Sequence, residues 1–294
     1  MKSGTLVITG WSGFLGSRLR NSLTEHVRVI PAPRDLIRSG SAEELEQFLR
    51  RHRPDAVIHC AALSDTGLCE TNPAQSFHAN VALPGRLARA CAAAGTRLVA
   101  MSSDQVYNGV RSLEPSSEEV SLAPVSVYGR HKLEAERAVL SACPDAVILR
   151  LTWLFDLPVR GLKTNRNLLT GILDAAVTGS PASYFVHDFR GMTYTQDLIS
   201  AFGSILSLPG GIYNTGSTNT LSTYDTAIYT ASLLRIPNPE VLIQRNEDAF
   251  RDSPRNLTMS GEKLAAAGIR FPDTKEAIAR CLSDFGLLRQ GSDV

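Results

Sequence analysis

The chain has 294 residues, 43% of them hydrophobic, and a formal net charge of +1. That length supports a sizeable core, in one large domain or two modest ones. The near-neutral balance, with no dense basic stripe, excludes nucleic-acid binding driven by phosphate neutralisation, and no apolar run reaches membrane-spanning length.

Residues 5–9 are rich in β-formers and read as a first strand. The apolar stretch after Met1 is too short for a signal peptide and runs straight into a glycine loop, Gly10-Trp11-Ser12-Gly13-Phe14-Leu15-Gly16. Helical periodicity then covers residue 14 to about residue 23. A second strand is predicted at 27–30, a charged amphipathic helix at 42–51 and a third strand at 56–59. A long helix runs from Pro73 to about Ala94 and stops at Gly95. A fourth strand at 97–101 runs out into Ser102-Ser103-Asp104. A Pro/Ser/Glu-rich loop at 114–124 separates it from a helix at 128–141 and a strand at 146–151.

Strands alternating with helices predict an α/β fold: a Rossmann-type doubly wound parallel sheet, covered on both faces. The remainder is less regular. Helices are expected at 168–178, 196–206, 222–234 and 275–287, with a strand at 211–214 and loops at 237–239 and 251–254. The expected division is a sheet domain over 1–152 and a smaller C-terminal lobe over 153–294, some of whose chain returns to the sheet.

Five cysteines, an odd number without a C-x-x-C pair, argue against a disulfide framework and fit a reducing cytoplasm. The six histidines form no H-x-x-x-H pattern, so no metal site is expected.

Three motifs carry chemistry. The glycine loop follows a strand and opens a helix, which lets backbone approach a pyrophosphate at a helix N-terminus. At the end of the second strand a carboxylate would bind a ribose 2′-hydroxyl and an arginine a 2′-phosphate. Arg34 stands there and favours NADP(H), with Asp35 and NAD(H) as the alternative. Tyr128 and Lys132 lie one helical turn apart on one face, where the cation should lower the phenol's pKa. A phenol so placed can give a proton to a carbonyl oxygen. Ser102 and Ser103 end the fourth strand, at the sheet edge where ligands bind. Asn80, inside the long helix, either fixes backbone or water near the lysine or is a helix-surface amide.

On these segments the chain resembles an extended short-chain dehydrogenase/reductase, and most closely the dTDP-4-dehydrorhamnose reductase family. The segments are Gly10–Gly16, the stretch 54–80, Ser102-Ser-Asp-Gln-Val-Tyr107, Tyr128–Lys132, Leu149-Arg-Leu-Thr-Trp153, Met192-Thr-Tyr-Thr-Gln-Asp197 and the stretch 256–268. The resemblance implies NADPH as cofactor (NADH as the alternative), a nucleotide-linked 4-keto-6-deoxy sugar as substrate, and a homodimer as one assembly left open. It implies catalytic roles for Ser103, Tyr128 and Lys132. Gly10, Ser12, Gly13, Phe14, Leu15, Gly16, Arg34, Cys60, Ala61, Ala62, Asn80 and Ser102 would join Tyr128 and Lys132 in holding the cofactor. Ser64, Asp104, Gln105, Val106, Trp153 and Arg190 would meet the substrate.

The chain departs from the family pattern at Gln105, at Leu154-Phe-Asp156 and at Asp188-Phe-Arg190-Gly-Met192, all expected near the sugar pocket. Acidic residues that hold Mg²⁺ at a dimer contact in some members are not evident. Two other readings stay open: an epimerase or dehydratase holding NAD tightly, and a non-catalytic NADP-binding subunit like the regulatory subunit of methionine adenosyltransferase.

Overall fold

The computed structural model describes residues 4–288; residues 1–3 and 289–294, which the predicted domain spans include, lie outside the described residues. Strand β1 (Thr5–Thr9) sends Leu6 and Ile8 to one face of the sheet and Val7 to the other, the period-two alternation of an interior strand. After α1 (Phe14–Leu23), β2 (Arg28–Pro31) starts one residue later than predicted. Val27 is still closing the turn, its N–H bonded to the Leu23 carbonyl at 3.0 Å.

Two helices follow, α2 (Arg34–Ser39) and α3 (Ala42–His52). The first is too short to show a period and was not foreseen. The second is fixed by a Ser41/Glu44 capping box and buries Leu45 and Leu49, one turn apart. Next come β3 (Ala56–His59), as predicted, and the unforeseen α4 (Thr66–Thr71). The long helix exists as three pieces: α5 (Pro73–Phe77), a π-helical turn at His78–Ala82, and α6 (Leu83–Ala94), ended by Gly95 at φ 64°.

Strand β4 (Arg97–Ser103) outruns its predicted end by two residues and passes into a 3₁₀ turn, Asp104–Tyr107. Helix α7 (Val127–Ala142) is capped by the Ser126 side chain and leads to β5 (Val147–Leu151).

Beyond β5 lie β6 (Trp153–Phe155), α8 (Leu168–Thr178), β7 (Ala182–Phe185), β8 (Asp188–Arg190) and β9 (Met192–Tyr194). Then come α9 (Thr195–Ile205), β10 (Gly211–Thr215), α10 (Thr223–Leu233), α11 (Pro239–Leu242) and β11 (Ile243–Asn246). The chain closes with β12 (Arg255–Leu257), α12 (Glu262–Ala266) and α13 (Thr274–Asp284). Six of these strands, β6–β9, β11 and β12, have only three or four residues and form three parallel pairs. Such lengths leave no alternation to read in sequence.

The central sheet is entirely parallel, in the order β10-β5-β4-β3-β1-β2. One face is covered by α1 and α9 through Leu15, Leu19, Leu198 and Phe202. The other is covered by α3, α6 and α7 through Leu49, Leu87 and Val139. This is the expected Rossmann-type doubly wound sheet. Strand β10 and helix α9 both come from the second half of the chain. A separate apolar cluster around Phe155, Ile172, Tyr224 and Ile278 packs the remaining helices together. Strand order reverses at β1, so the crevice at its carboxyl end is where such a sheet takes ligands. No helix among the described residues is long and apolar enough to cross a membrane.

Candidate active site

The glycine loop sits at that crevice. Gly10 has φ 64°, and its carbonyl accepts from the Gly13 N–H at 2.8 Å. A Cβ on Gly10 would lie 2.6 Å from the Ala61 nitrogen, and one on Gly16 2.2 Å from the Gly10 carbonyl. The loop is therefore flat against the end of β3. Gly13 provides no side-chain cap to α1, so the first-turn N–H groups stay open to an anion. Gly13, Phe14, Leu15, Cys60 and Ala62 line a cleft of about 560 Å³. Arg34, at the start of α2, places Nη2 2.8 Å from Ser12 Oγ and its guanidinium 5.4 Å from the Trp11 ring. Of the two candidates at the end of β2, the arginine is thus the one joined to the loop. An open glycine cradle beside a guanidinium fits a dinucleotide with a 2′-phosphate.

Ser102, Ser103, Tyr128 and Lys132 meet at the cleft floor. A close approach of α7 brings them together. A Cβ on Gly129 would stand 2.3 Å from the Gln105 carbonyl, so only glycine lets the first turn of α7 rest on the 3₁₀ turn after β4. Gly129→Ala is expected to lower stability by about 1–3 kcal/mol and to cut turnover, since Tyr128 would be lifted from Ser103. Thermal melts with a parallel activity assay check this; wild-type values in both would contradict the packing account.

Burial pushes the Tyr128 phenol well above the ordinary tyrosine value, and the Asp104 carboxylate pushes the same way. The Ser103 hydroxyl and Arg190 oppose the shift more weakly. This corrects the expectation that Lys132 lowers it. Lys132 Nζ donates instead to the Met101 carbonyl at 2.9 Å and lies 5.7 Å from the Tyr128 ring centroid. The phenol stays protonated at neutral pH. Burial brings Lys132 itself down to about 8, against the pull of Glu136.

The predicted substrate residues divide. Ser64, Asp104, Gln105, Trp153 and Arg190 line the cleft. Asp104 is held by Arg190 at 2.6 Å, and Arg190 lies 5.1 Å from the Trp153 ring. Val106 does not join them: it is fully buried against Tyr107, Leu257 and Met259. Asn80 is not a helix-surface amide; it fixes backbone. It is buried in the π-helical turn and clasps the Leu63 backbone, accepting from its N–H at 3.0 Å and donating to its carbonyl at 2.9 Å. Ala61 and Asn80 line a smaller cavity behind Lys132.

Two of the departures are structural. Asp156 pairs with the buried Arg18 of α1 at 2.5 Å, and Asp188 pairs with Arg255 at 2.8 Å. Sequence reasoning missed Lys163, Arg166 and Arg255, which line the cleft; Lys163 and Arg166 add positive charge to it, while the charge of Arg255 is matched by Asp188. The one available signal was the local excess of cations over acids in the stretch 160–166.

Comparison with known proteins matches the model of the RmlD substrate binding domain to residues 4–287. The chain is 30% identical over 292 residues to a dTDP-4-dehydrorhamnose reductase of Mycolicibacterium smegmatis, covering 93% of this chain and 83% of that protein. It is 32% identical over 231 residues, covering 75% of this chain and 74% of the other, to a probable dTDP-4,6-dihydroxy-2-methyloxan-3-one 4-ketoreductase of Streptomyces antibioticus. Among solved structures, a dTDP-4-dehydrorhamnose reductase from Bacillus anthracis in complex with NADP superposes with a TM-score of 0.82. It covers 96% of this chain and 99% of its own at 22% identity, a likeness of fold. With the family model spanning almost all the described residues, the chain belongs to the RmlD substrate binding domain family.

Proposed function

We propose that the protein is an NADPH-dependent reductase of a nucleotide-linked 4-keto-6-deoxy sugar, of the dTDP-4-dehydrorhamnose type. One observation carries this reading: Ser103, Tyr128 and Lys132 share a cleft with the glycine loop on one side and Trp153, Lys163, Arg166, Arg190 and Arg255 on the other. The names of the two curated relatives support it. In this reading the sheet domain, through residue 152, holds the cofactor and the lobe from residue 153 holds the sugar nucleotide. The positive charge of Lys163 and Arg166 suits a diphosphate, and Trp153 offers an apolar ring to the sugar or base.

NADPH, lying over Gly10–Gly16, would supply a hydride to C4 of the sugar. Ser103 Oγ then holds the ketone oxygen against Tyr128, and the phenol gives that oxygen its proton, so that an alcohol forms. Lys132 binds the nicotinamide ribose through its ammonium. Asp104, tied to Arg190, offers one carboxylate where a dehydratase wants two, because Gln105 follows it. Free cysteines fit a reducing cytoplasm.

The test is NADPH oxidation with dTDP-4-dehydrorhamnose generated in situ, NADH being run in parallel. Consumption of NADPH with formation of a dTDP-6-deoxyhexose is expected. Bound NADPH without consumption would overturn the reductase reading, and tightly held NAD in the purified protein would favour an epimerase or dehydratase. Arg34→Ala should cost about 1.5–3 kcal/mol of 2′-phosphate binding, roughly a 10- to 100-fold rise in KM for NADPH, with KM for NADH nearly unchanged. Equal losses for both cofactors would remove Arg34 from the 2′-phosphate site.

A further inference from the structure

Glu136 has no part in the steps above, yet it sits directly behind them. It follows Lys132 by four residues on α7, so both side chains lie on one helix face. Its side chain is 2% exposed and fully engaged. Ser102 Oγ donates to Oε1 at 2.5 Å, while Arg150 donates to Oε1 through Nε at 2.9 Å and to Oε2 through Nη2 at 2.7 Å. Arg150 in turn donates to Tyr107 Oη at 2.7 Å, and that hydroxyl donates to Asn214 Oδ1 at 2.6 Å. A buried ion pair of this kind returns little net stability compared with apolar side chains of the same volume. Its presence here calls for another use.

That use is next door. Glu136, Ser102, Lys132, Asn80 and His59 line a cavity of about 20 Å³, room for one water molecule among polar partners. The other titratable groups that bear on Lys132 are uncharged or weakly so. His59, on β3, is held down to about 3 by burial and by Lys132, and its Nδ1 is 2.7 Å from Thr9 Oγ1. Burial pushes the Cys60 thiol up to about 12. Tyr128 stays a phenol, and Cys69 of α4 is a buried thiol bonded to the Leu63 carbonyl at 3.5 Å. The carboxylate of Glu136 is the one full negative charge among these groups, and it opposes the effect of burial on the lysine.

We propose that Glu136 is a positioning residue for the reaction: anchored by Arg150 and Ser102 beside the small polar cavity, its carboxylate keeps the buried Lys132 an ammonium. The proposal rests on the role given to Lys132 above. A neutral lysine would lose the positive charge with which it holds the ribose, and one of its donors.

The experiment is a carbon-13 NMR titration of lysine side chains in the nucleotide-free protein. Only Lys2, Lys163, Lys263 and Lys275 compete with Lys132 for assignment. Wild type should titrate at Lys132 near 8. In Glu136→Gln the midpoint should fall by about one to three pH units, and Glu136→Asp, which keeps the charge, should restore most of it. The alkaline limb of NADPH oxidation should move by the same interval, a change that a purely structural role would not produce.

Glu136→Gln strands the Arg150 cation. The double variant Glu136→Gln/Arg150→Met removes it and gives the same reading if the single variant does not fold. An unchanged Lys132 midpoint in either folded variant overturns the proposal. A midpoint that falls as expected, in a protein that reduces no keto sugar, upholds the coupling and sinks only the proposed substrate.

Discussion

Tyr128→Phe should lower keto-sugar reduction by about 10²–10⁴-fold, the usual worth of a placed proton donor, while NADPH binding stays close to wild type. The argument is geometric first. The phenol lies on the cleft floor with Ser103 and Lys132, facing the loop that ends β1. The hydride and the proton must reach the two ends of one C=O bond, and Tyr128 shares the cleft with Ser103, the hydroxyl proposed to hold that bond's oxygen. The raised pKa keeps the phenol protonated at neutral pH and at the same time makes its proton harder to give up. A phenol pushed upward by burial and by Asp104 stays loaded with its proton, and charge developing on the ketone oxygen then draws it off. The substitution leaves the glycine loop and Arg34 unchanged, so fluorescence titration with NADPH should be nearly unchanged. Full turnover in Tyr128→Phe would end the proton-donor assignment. Equal loss of binding and turnover would mean that the hydroxyl holds the cofactor and does not serve as the proton donor.

Arg150→Met should destabilise the fold by about 3–5 kcal/mol, because it leaves the Glu136 carboxylate buried without its partner. Both side chains are 2% exposed, so water cannot substitute for the guanidinium. The loss should spread. Arg150 also supports the Tyr107 hydroxyl, and through it Asn214 on β10, whose Nδ2 holds the Ser116 and Ser260 carbonyls at 2.9 and 3.2 Å. Strand β10, taken from the second half of the chain, is therefore bound to the sheet by this polar spine as well as by its ladder to β5. Urea unfolding followed by far-UV circular dichroism would show a large fall in midpoint. The double variant with Glu136→Gln should recover most of it, since the uncompensated charge is then gone. A single variant as stable as wild type would mean that the carboxylate finds another donor or takes a proton.

Much of the first half could be read from its residues because each signal there is local. Thr5–Thr9, Phe14–Leu23 and Ala56–His59 begin and end where composition and periodicity place them. The Tyr128/Lys132 pair is legible because a helical turn fixes its geometry. What escaped depends on distant chain. The family resemblance implied a substrate contact for Val106, but the 3₁₀ turn at Asp104–Tyr107 sends it into a cluster with Leu257 and Met259. The phenol's pKa was misjudged because spacing reveals a neighbouring cation but not the degree of burial. Lys163 and Arg166 precede α8 in a stretch without period, and only the folded lobe turns them toward the cleft. Arg255 faces the same cleft because β12 pairs with β8, a contact spanning 67 residues between Asp188 and Arg255.

The π-helical turn at His78–Ala82 sets a phase. An α-helix advances about 100° per residue, and a turn closed one residue wider slips the following helix by that angle relative to the preceding one. Ser76, bonded to the His131 ring at 2.8 Å, belongs to the earlier phase; Leu87, Ala88 and Cys91 on the sheet belong to the later one. Asn80 stands within the slip and can face Leu63 because of it. Removing one residue from this turn would leave the sheet-covering face in register and swing the preceding segment by about a quarter turn. Asn80 would then part from the backbone it clasps, and the loop between β3 and α4, which carries Ala62 and Ser64 into the cleft, would lose its fastening. A single surplus residue thus serves as a vernier between two helical clocks, one keyed to the core and one to the rim of the cleft.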